Sequence, residues 1–538
     1  MQGLLRSRRA CVGLAMLGGL LTGLTLILPR ALGWLEWLVA ALAVPVLWRL
    51  TEEECVNKRG WRFWCAGFAF FFPFYLVVFH WFLALYPLSF TGLPPALTAV
   101  VVAVAWLGAA LLQSVGMSFV FVAVGYLWRC PLVRREPILR PILAAAVWTA
   151  AEWTQTLGWF GVPWGRLALG QAEYLPMVQT VSIFGCYGVA FLLVAVNFTL
   201  AQVILTPSGS RRALCLLASG LFLGNLAAGS VLYVVGEHRT PDGTLTVGTV
   251  QGNFSSNSKW SMTVSGTVSV YQKHIEALNE AGVDLVLLPE TALPFMLQDY
   301  VKYMDRMCAL AVEGEMTLFT GTFTRDDFGT EYSSVMTFHA DGTVDEKIYN
   351  KRRLVPFGEF VPMRDLVTAL IPPLADLNMW ESDLGAGTEA TVVENINGAY
   401  GFMICFDSIY ENLSRDSVRE GAQLLLLPTN DSWFLDSAAV YMHNNQARLR
   451  AIECGRSVVR AANTGISSLI TPTGRVTAML PPLVEGTVRG EVSLHSHATP
   501  YALFGNWIVW VSMAAASVPV WHKIVCAWRM RLDKRGKT

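Results

Sequence analysis

Along the first 235 residues the hydrophobic positions do not alternate with polar ones; they run together in long blocks separated by short polar turns. A helix needs ~20 consecutive apolar residues to cross the hydrocarbon core of a bilayer. Runs of that order at residues 11–29, 31–48, 63–85, 96–127, 139–156, 180–205 and 213–235 predict spanning helices, and an eighth at 502–526 closes the chain. The run 96–127 is long enough for one tilted helix and too short for two plus a turn, so it counts as one. The first run follows Arg6, Arg8 and Arg9, which would also suit a cleaved signal peptide; its length and the immediate second span favour a retained anchor.

The pattern changes between residues 236 and 501. Short β-rich runs at 245–250, 285–288, 318–322, 334–338, 400–404, 424–427 and 468–471 alternate with helical stretches at 268–281, 300–313 and 440–454. Strands alternating with helices imply an α/β domain. Residues 284–290 and 423–430 each read as a Leu-rich strand, then Pro, then polar residues, as expected of two strands of one core opening onto a shared face. The expected organisation is membrane helices one to seven in 1–235, an extramembrane domain in 236–501, and an eighth helix with a basic tail in 502–538. Residues 363–380 are apolar, Pro-interrupted and too short to span; they read either as a loop packed on the domain or as an arm touching lipid at the mouth of a site.

Composition agrees with the blocks. The chain of 538 residues is 53% hydrophobic and 15% charged, with mean hydropathy +0.43, which describes an integral membrane protein. Its formal net charge of zero speaks against a nucleic-acid partner. Short cytoplasmic loops concentrate Lys and Arg. In an eight-span chain Arg49, Lys58, Arg59, Arg62, Arg129, Arg134, Arg135, Arg140, Arg211, Arg212 and the tail cations share a side with the N-terminal arginines, while opposite loops between spans carry only Arg30 and Arg166. Both termini are therefore expected in the cytoplasm and residues 236–501 in the periplasm of a cell that has one. Glu36 and Glu152 are the main intramembrane charges, few for a transporter.

Candidate chemistry sits where apolar strands end. Residues 400–404 deliver Cys405, after which the chain turns polar with Asp407 and Ser408; residues 284–288 lead to Glu290; Lys351 precedes a rigid Pro-Phe-Gly-Glu turn. A thiol needs a base or a neighbouring cation to become a nucleophile. Glu290 suits the base and Lys351 the charge for a tetrahedral oxyanion, which together describe a cysteine-based acyl-transfer site. Competing motifs are lacking: no G-x-S-x-G elbow, no H-E-x-x-H helix, and a closing Arg-Gly-Lys-Thr with Arg531 where a phosphate loop has its first glycine. His495 and His497 read as surface histidines, since no cysteine or carboxylate cluster joins them, and no metal or cofactor is expected. The outer segment holds three cysteines, Cys308, Cys405 and Cys454, so at least one thiol stays free.

The order Glu290, Lys351, Cys405 resembles the Glu-Lys-Cys triad of the nitrilase, or carbon–nitrogen hydrolase, superfamily. The helices together with VQGN at 250–253, Lys259-Trp260, LPET, NKRRLVPFGEFVP, NDSWF at 430–434, RAANTG at 460–465 and GVPWGRLALGQ at 161–171 are similar to the bacterial apolipoprotein N-acyltransferase family. That resemblance covers essentially the whole chain. It implies a nitrilase-like α-β-β-α sandwich beside an eight-helix membrane domain in the bacterial inner membrane. It also implies Glu290 as base, Lys351 as oxyanion stabiliser, Cys405 as nucleophile and Glu359 as the carboxylate orienting Lys351, with Trp260 and Trp433 at aromatic positions that matter in the family. Where the family commonly has Cys-Tyr-Glu this chain has Cys405-Phe406-Asp407, which leaves the roles of Phe406 and Asp407 open. The implied reaction is ping-pong, from a phospholipid acyl donor through a thioester to the amine of a diacylglyceryl-lipoprotein acceptor. The alternatives are a membrane-tethered amidase and a non-catalytic transporter or receptor carrying a nitrilase-like binding module.

Overall fold

A computed structural model describes residues 7–52, 60–88, 94–158, 161–206, 208–255, 262–370 and 383–535. The chain falls into two compact units, one of Met1–Phe82, Val101–Tyr233 and Asn506–Thr538, the other of Leu83–Val100 and Val234–Gly505.

In the first unit the apolar blocks become helices, the conformation that satisfies every backbone N–H and C=O without water. Among the described residues seven are long and apolar enough to cross a membrane: Arg8–Ile27, Pro29–Glu52, Gly60–Leu85, Pro95–Trp128, Cys186–Leu205, Gly209–Glu237 and Trp507–Cys526. The remaining expected span is a helix of 16 residues, Leu139–Thr154, packed against Cys186–Leu205 and Trp507–Arg535. Several expected runs are interrupted. Pro95–Met117 and Phe119–Trp128 meet at Ser118, where Ser114 and Ser118 donate back to Ala110 O and Ser114 O at 2.5 Å, a competing bond that bends helices. Gly185, at φ +69°, starts Cys186–Leu205, and Gly505, at φ +61°, separates Pro500–Phe504 from the last helix. Within Pro29–Glu52 the helix is broken into short pieces. There buried Gln171, the last residue of GVPWGRLALGQ, donates to Glu36 Oε2 at 2.6 Å and Gly33 O at 2.8 Å and accepts from Trp37 Nε1 at 3.0 Å.

Among the described residues the second unit contains thirteen strands: β1 Gly243–Gln251, β2 Leu285–Leu287, β3 Leu293–Met296, β4 Thr317–Arg325, β5 Glu331–Phe338, β6 Tyr349–Asn350, β7 Val392–Asn395, β8 Gly398–Phe402, β9 Leu424–Thr429, β10 Ser457–Ala462, β11 Ser467–Ile470, β12 Val476–Leu480 and β13 Gly486–Leu494. One sheet runs β13-β1-β2-β4-β5-β6 with β3 beside β4; the other runs β12-β11-β10-β9-β8-β7. β1, β2 and β4 are mutually parallel, as are β8, β9 and β10, so each junction needs a crossover. Helices Val264–Glu280, Val301–Glu313, Glu411–Arg419 and Ala438–Cys454 supply them.

Side chains alternate across a strand, and the Leu-rich runs use both faces. Leu285, Leu287, Leu424 and Leu426 share one buried core with Val247, Phe319, Phe402 and Val459, the seam between the two sheets. Val286 and Leu288 turn the other way, onto Tyr271, Ile275, Met307 and Leu310 of the first helix pair. Leu425 and Leu427 turn onto Ala447 and Ala451 of the second. The result is four layers, helix-sheet-sheet-helix, and strands buried on both faces read as continuous apolar runs. The expectation of two strands sharing one core holds, with β2 and β9 on opposite sides of the seam.

Candidate active site

The carboxyl ends of parallel strands are where open α/β sheets place their ligands, and three of the chemical groups leave such ends. After β8 the chain enters a short 3-10 helix, Cys405–Ile409, with Cys405 in the left-handed region at φ +47°. Surroundings must hold a non-glycine residue there. Asp407, fully buried, does so: it accepts from Ile404 N–H at 3.0 Å, Tyr349 Oη at 2.8 Å and Arg353 N–H at 2.7 Å. Tyr349 lies in β6, two residues before Lys351, so one carboxylate ties the cysteine turn to the lysine loop. Burial, ahead of the opposing hydrogen bonds and the Lys351 charge, pushes Asp407 above the ordinary carboxylate value.

Lys351 is buried and gives one proton to Glu290 Oε1 and another to Glu359 Oε1, both at 2.8 Å. Glu359 Oε2 takes the N–H of Val355 at 2.7 Å, which fixes the Pro-Phe-Gly-Glu turn around the ammonium. Burial alone would favour the neutral amine, but Glu290 and then Glu359 outweigh it, and Lys351 is held well above the usual lysine value as a permanent cation. Glu359 is raised, first by burial, with Lys351 opposing and Glu290 adding to the rise. An ammonium has three protons; among the described residues two are bonded, to Glu290 and Glu359. Glu290 sits in the turn after β2, and β4 passes so close that a Cβ on Gly321 would meet Pro289 O at 2.2 Å.

Cys405 is 8% exposed and in no disulfide, as are Cys308 and Cys454. Burial, then Glu290, push its thiol well above the usual value; Lys351 and the N–H of Asn430 pull the other way, and Asp431 adds to the rise. The resting sulfur is a thiol, and a base is needed to ionise it.

Sequence reasoning missed a buried group behind the cysteine. Asp431, in the turn after β9, receives His443 Nδ1 at 2.8 Å and Arg460 at 2.6 Å. His443 comes from the helix Ala438–Cys454 and Arg460 from the middle of β10. No fixed spacing links the three, so the only available signal was the presence of Asp431 and Arg460 inside the quoted NDSWF and RAANTG stretches. Trp433 follows in the same turn and is partly exposed. Trp260 and residues 371–380 of the apolar segment lie outside the described residues; residues 364–370 of that segment form the helix Arg364–Leu370. His495 and His497 correct an expectation: His495 is buried, not on the surface, and bonds Ser493 Oγ at 3.0 Å. Burial, then Arg239 and Arg456, lower His497 to about 4.

Residues 246–499 match the carbon-nitrogen hydrolase family and residues 18–199 the apolipoprotein N-acyltransferase N-terminal domain. An apolipoprotein N-acyltransferase of Gloeobacter violaceus is 32% identical over 518 residues, 95% of this chain and 94% of that protein. The chain belongs to the apolipoprotein N-acyltransferase family. A second member, from Geobacter metallireducens, is 32% identical over 379 residues, 69% of this chain and 72% of that protein. Among solved structures the NitFhit protein of C. elegans aligns with 47% of this chain and 62% of its own at 23% identity and TM-score 0.39. Membership makes the chain an acyltransferase, and its apolar helices make it a multi-pass membrane protein with a nitrilase-like domain.

Proposed function

We propose that this protein moves an acyl chain from a membrane phospholipid to the free α-amine of a diacylglyceryl-cysteine at a lipoprotein N-terminus, in two steps through a thioester on Cys405. The observation that carries the reading is the buried Glu290–Lys351–Glu359 cluster, of which Glu290 and Lys351 act by charge on the Cys405 thiol. Glu290 takes the thiol proton, and the thiolate attacks the ester carbonyl. Lys351 stabilises the oxyanion, where preorganised donors contribute roughly 3–4 kcal/mol. Collapse breaks the ester C–O bond; the lysophospholipid oxygen leaves with the proton from Glu290, and the acyl group stays on sulfur. The lipoprotein amine then attacks the thioester, gives its proton to Glu290, and expels the thiolate, which is reprotonated. Glu359 keeps Lys351 in place through both steps.

Donor and acceptor both carry lipid tails, which accounts for a catalytic fold attached to membrane helices at both ends. The loop-charge asymmetry supports an inner-membrane protein with both termini cytoplasmic and the catalytic domain in the periplasm; alkaline phosphatase fused after Thr240 should be active and fused at Thr538 silent, and the reverse would refute that topology. The chemistry is tested by intact mass after incubation with phospholipid vesicles and no acceptor. Wild-type protein should gain one acyl chain, stable until an amine-terminated diacylglyceryl peptide is added, and Cys405→Ala should gain none. An adduct on Cys405→Ala, or fatty acid released to water without an adduct, would overturn the reading.

A further inference from the structure

His443 makes no contact that the two-step chemistry uses, yet it lies against the nucleophile. Its ring is 1% exposed. Nδ1 faces Asp431 Oδ1 at 2.8 Å. Nε2 faces the carbonyl oxygen of Cys405 itself at 3.1 Å and Ser408 Oγ at 3.0 Å. Ser408 in turn donates its proton to the same Cys405 carbonyl at 2.8 Å. A carbonyl oxygen only accepts, and a carboxylate bonded to Arg460 only accepts, so both ring nitrogens face acceptors. The Cys405 sulfur, an Asp431 oxygen and a His443 nitrogen lie within 4.8 Å of one another. Both Asp431 oxygens are already taken, one by His443 and one by Arg460, which makes this cluster a closed ion network and not a vacant metal site.

We propose that His443 is a positioning residue for Cys405: as a doubly protonated ring it grips the nucleophile's own carbonyl, fixing the left-handed turn, and offsets the Asp431 charge beside the sulfur. The inference rests on Cys405 being the nucleophile. Two features support it. The φ of +47° at Cys405 needs an outside hold, and the carbonyl receives two donors, from His443 and Ser408. Asp431 is the second carboxylate, after Glu290, that disfavours the thiolate, and its own value stays below the ordinary one because His443 and Arg460 together outweigh its burial. The charged groups around the ring are Asp431, Arg460 and, through Ser408 O, Arg450, whose NH1 lies 3.5 Å from that carbonyl. The sulfur itself also feels the charges of Glu290 and Lys351. Removing the His443 charge alone lowers the net charge beside the cysteine by one and leaves Asp431 balanced by Arg460 only.

The test reads Cys405 directly, by peptide-mapped alkylation with iodoacetamide across the pH range in detergent-solubilised full-length protein, alongside melting curves. His443→Gln keeps an amide donor for the carbonyl and loses the charge. It should displace the alkylation profile upward by about one pH unit, a roughly tenfold lower rate at fixed pH, and slow acyl-adduct formation by a similar factor. Asp431→Asn/His443→Gln removes both charges and should return the profile to wild type, a recovery that a packing role does not produce. An unchanged profile in His443→Gln, or no recovery in the double variant, overturns the inference. Should His443→Gln not fold, Asp431→Asn carries the test: its profile should lie at or below the wild-type one, and an upward displacement overturns the charge assignment. Alkylation needs no acyl chemistry, so these outcomes are separate from the Cys405→Ala result, whose failure would remove the nucleophile itself.

Discussion

Glu359 offers the sharpest test of the lysine's role, because it touches Lys351 while lying outside the Glu-Lys-Cys triad. Its two oxygens have separate duties, one on the ammonium at 2.8 Å and the other on Val355 N–H at 2.7 Å. Glu359→Gln keeps the shape but has one acceptor where two are required. Whichever bond the amide oxygen keeps, the amide NH2 faces a donor at the other. A hydrogen bond to a charged group is worth about 1.5–3 kcal/mol. Lys351 keeps Glu290 as counter-ion, so the domain should still fold. The ammonium is then drawn toward Glu290 alone, away from the position in which it meets the oxyanion. If the whole loss appears in the barrier, acyl transfer to Cys405 slows between about tenfold and about 150-fold, at 1.36 kcal/mol per decade. The assay is the time course of the Cys405 adduct by quenched intact-mass measurement with phospholipid in excess, with a melting curve on the same sample. Adduct formation at the wild-type rate would refute the claim that Glu359 positions Lys351. So would a slowing fully explained by an unfolded fraction.

Two further expectations follow from packing and charge. Gly321→Ala would set a Cβ 2.2 Å from Pro289 O and 2.6 Å from Thr291 N; overpacking of this kind costs roughly 1–3 kcal/mol and moves Glu290, so both melting temperature and adduct rate should fall, and wild-type values for both would refute the close approach. Asp431 is held below its unfolded value of 3.8, so the stability it contributes is present above that pH and is lost as pH falls through the lower, folded value. Melting curves taken downward from about pH 5 should show this loss in wild type and not in Asp431→Asn, and parallel curves would remove the ion network from the account of stability.

The strands that sequence patterning finds and those it misses differ in what their side chains do. β2 and β9 are apolar on both faces because one face meets the other sheet and one meets helices, and a run of leucines announces that environment. β10 is equally buried, but Arg460 stands in its middle, and a charged residue interrupts any apolar pattern. Its partner Asp431 arrives from 29 residues away in the chain, so the pairing that makes the arginine tolerable is invisible in the local sequence. β6 is two residues long and defined by pairing with β5, not by propensity. The positions of Glu290, Lys351 and Cys405 were legible for the opposite reason: each follows an apolar strand or precedes a rigid turn, and a polar group at such a boundary is conspicuous. His443 was not, since it lies inside a helix whose residues are nearly all buried, where its spacing resembles that of any core position.

The departure at Phe406-Asp407 acquires a physical meaning from this arrangement. A carboxylate placed two residues after the cysteine accepts three short bonds from Ile404, Tyr349 and Arg353, and each donor belongs to a different part of the site: the strand end before Cys405, the strand before Lys351, and the loop after it. An aspartate reaches all three because β6 and the 3-10 turn lie side by side across the sheet seam, where the Tyr349 and Phe402 rings stack at 5.7 Å. The adjoining Phe406 needs no hydroxyl for its contact, an edge-to-face packing on Tyr410 at 5.5 Å, and Tyr410 in turn lies under the Arg353 guanidinium at 4.9 Å. The two residues thus fasten the Arg352–Arg353 segment to the cysteine turn by a hydrogen-bonded and an aromatic route. Lys351 is adjacent to that segment, so Asp407 and Phe406 tie the lysine loop to the cysteine turn.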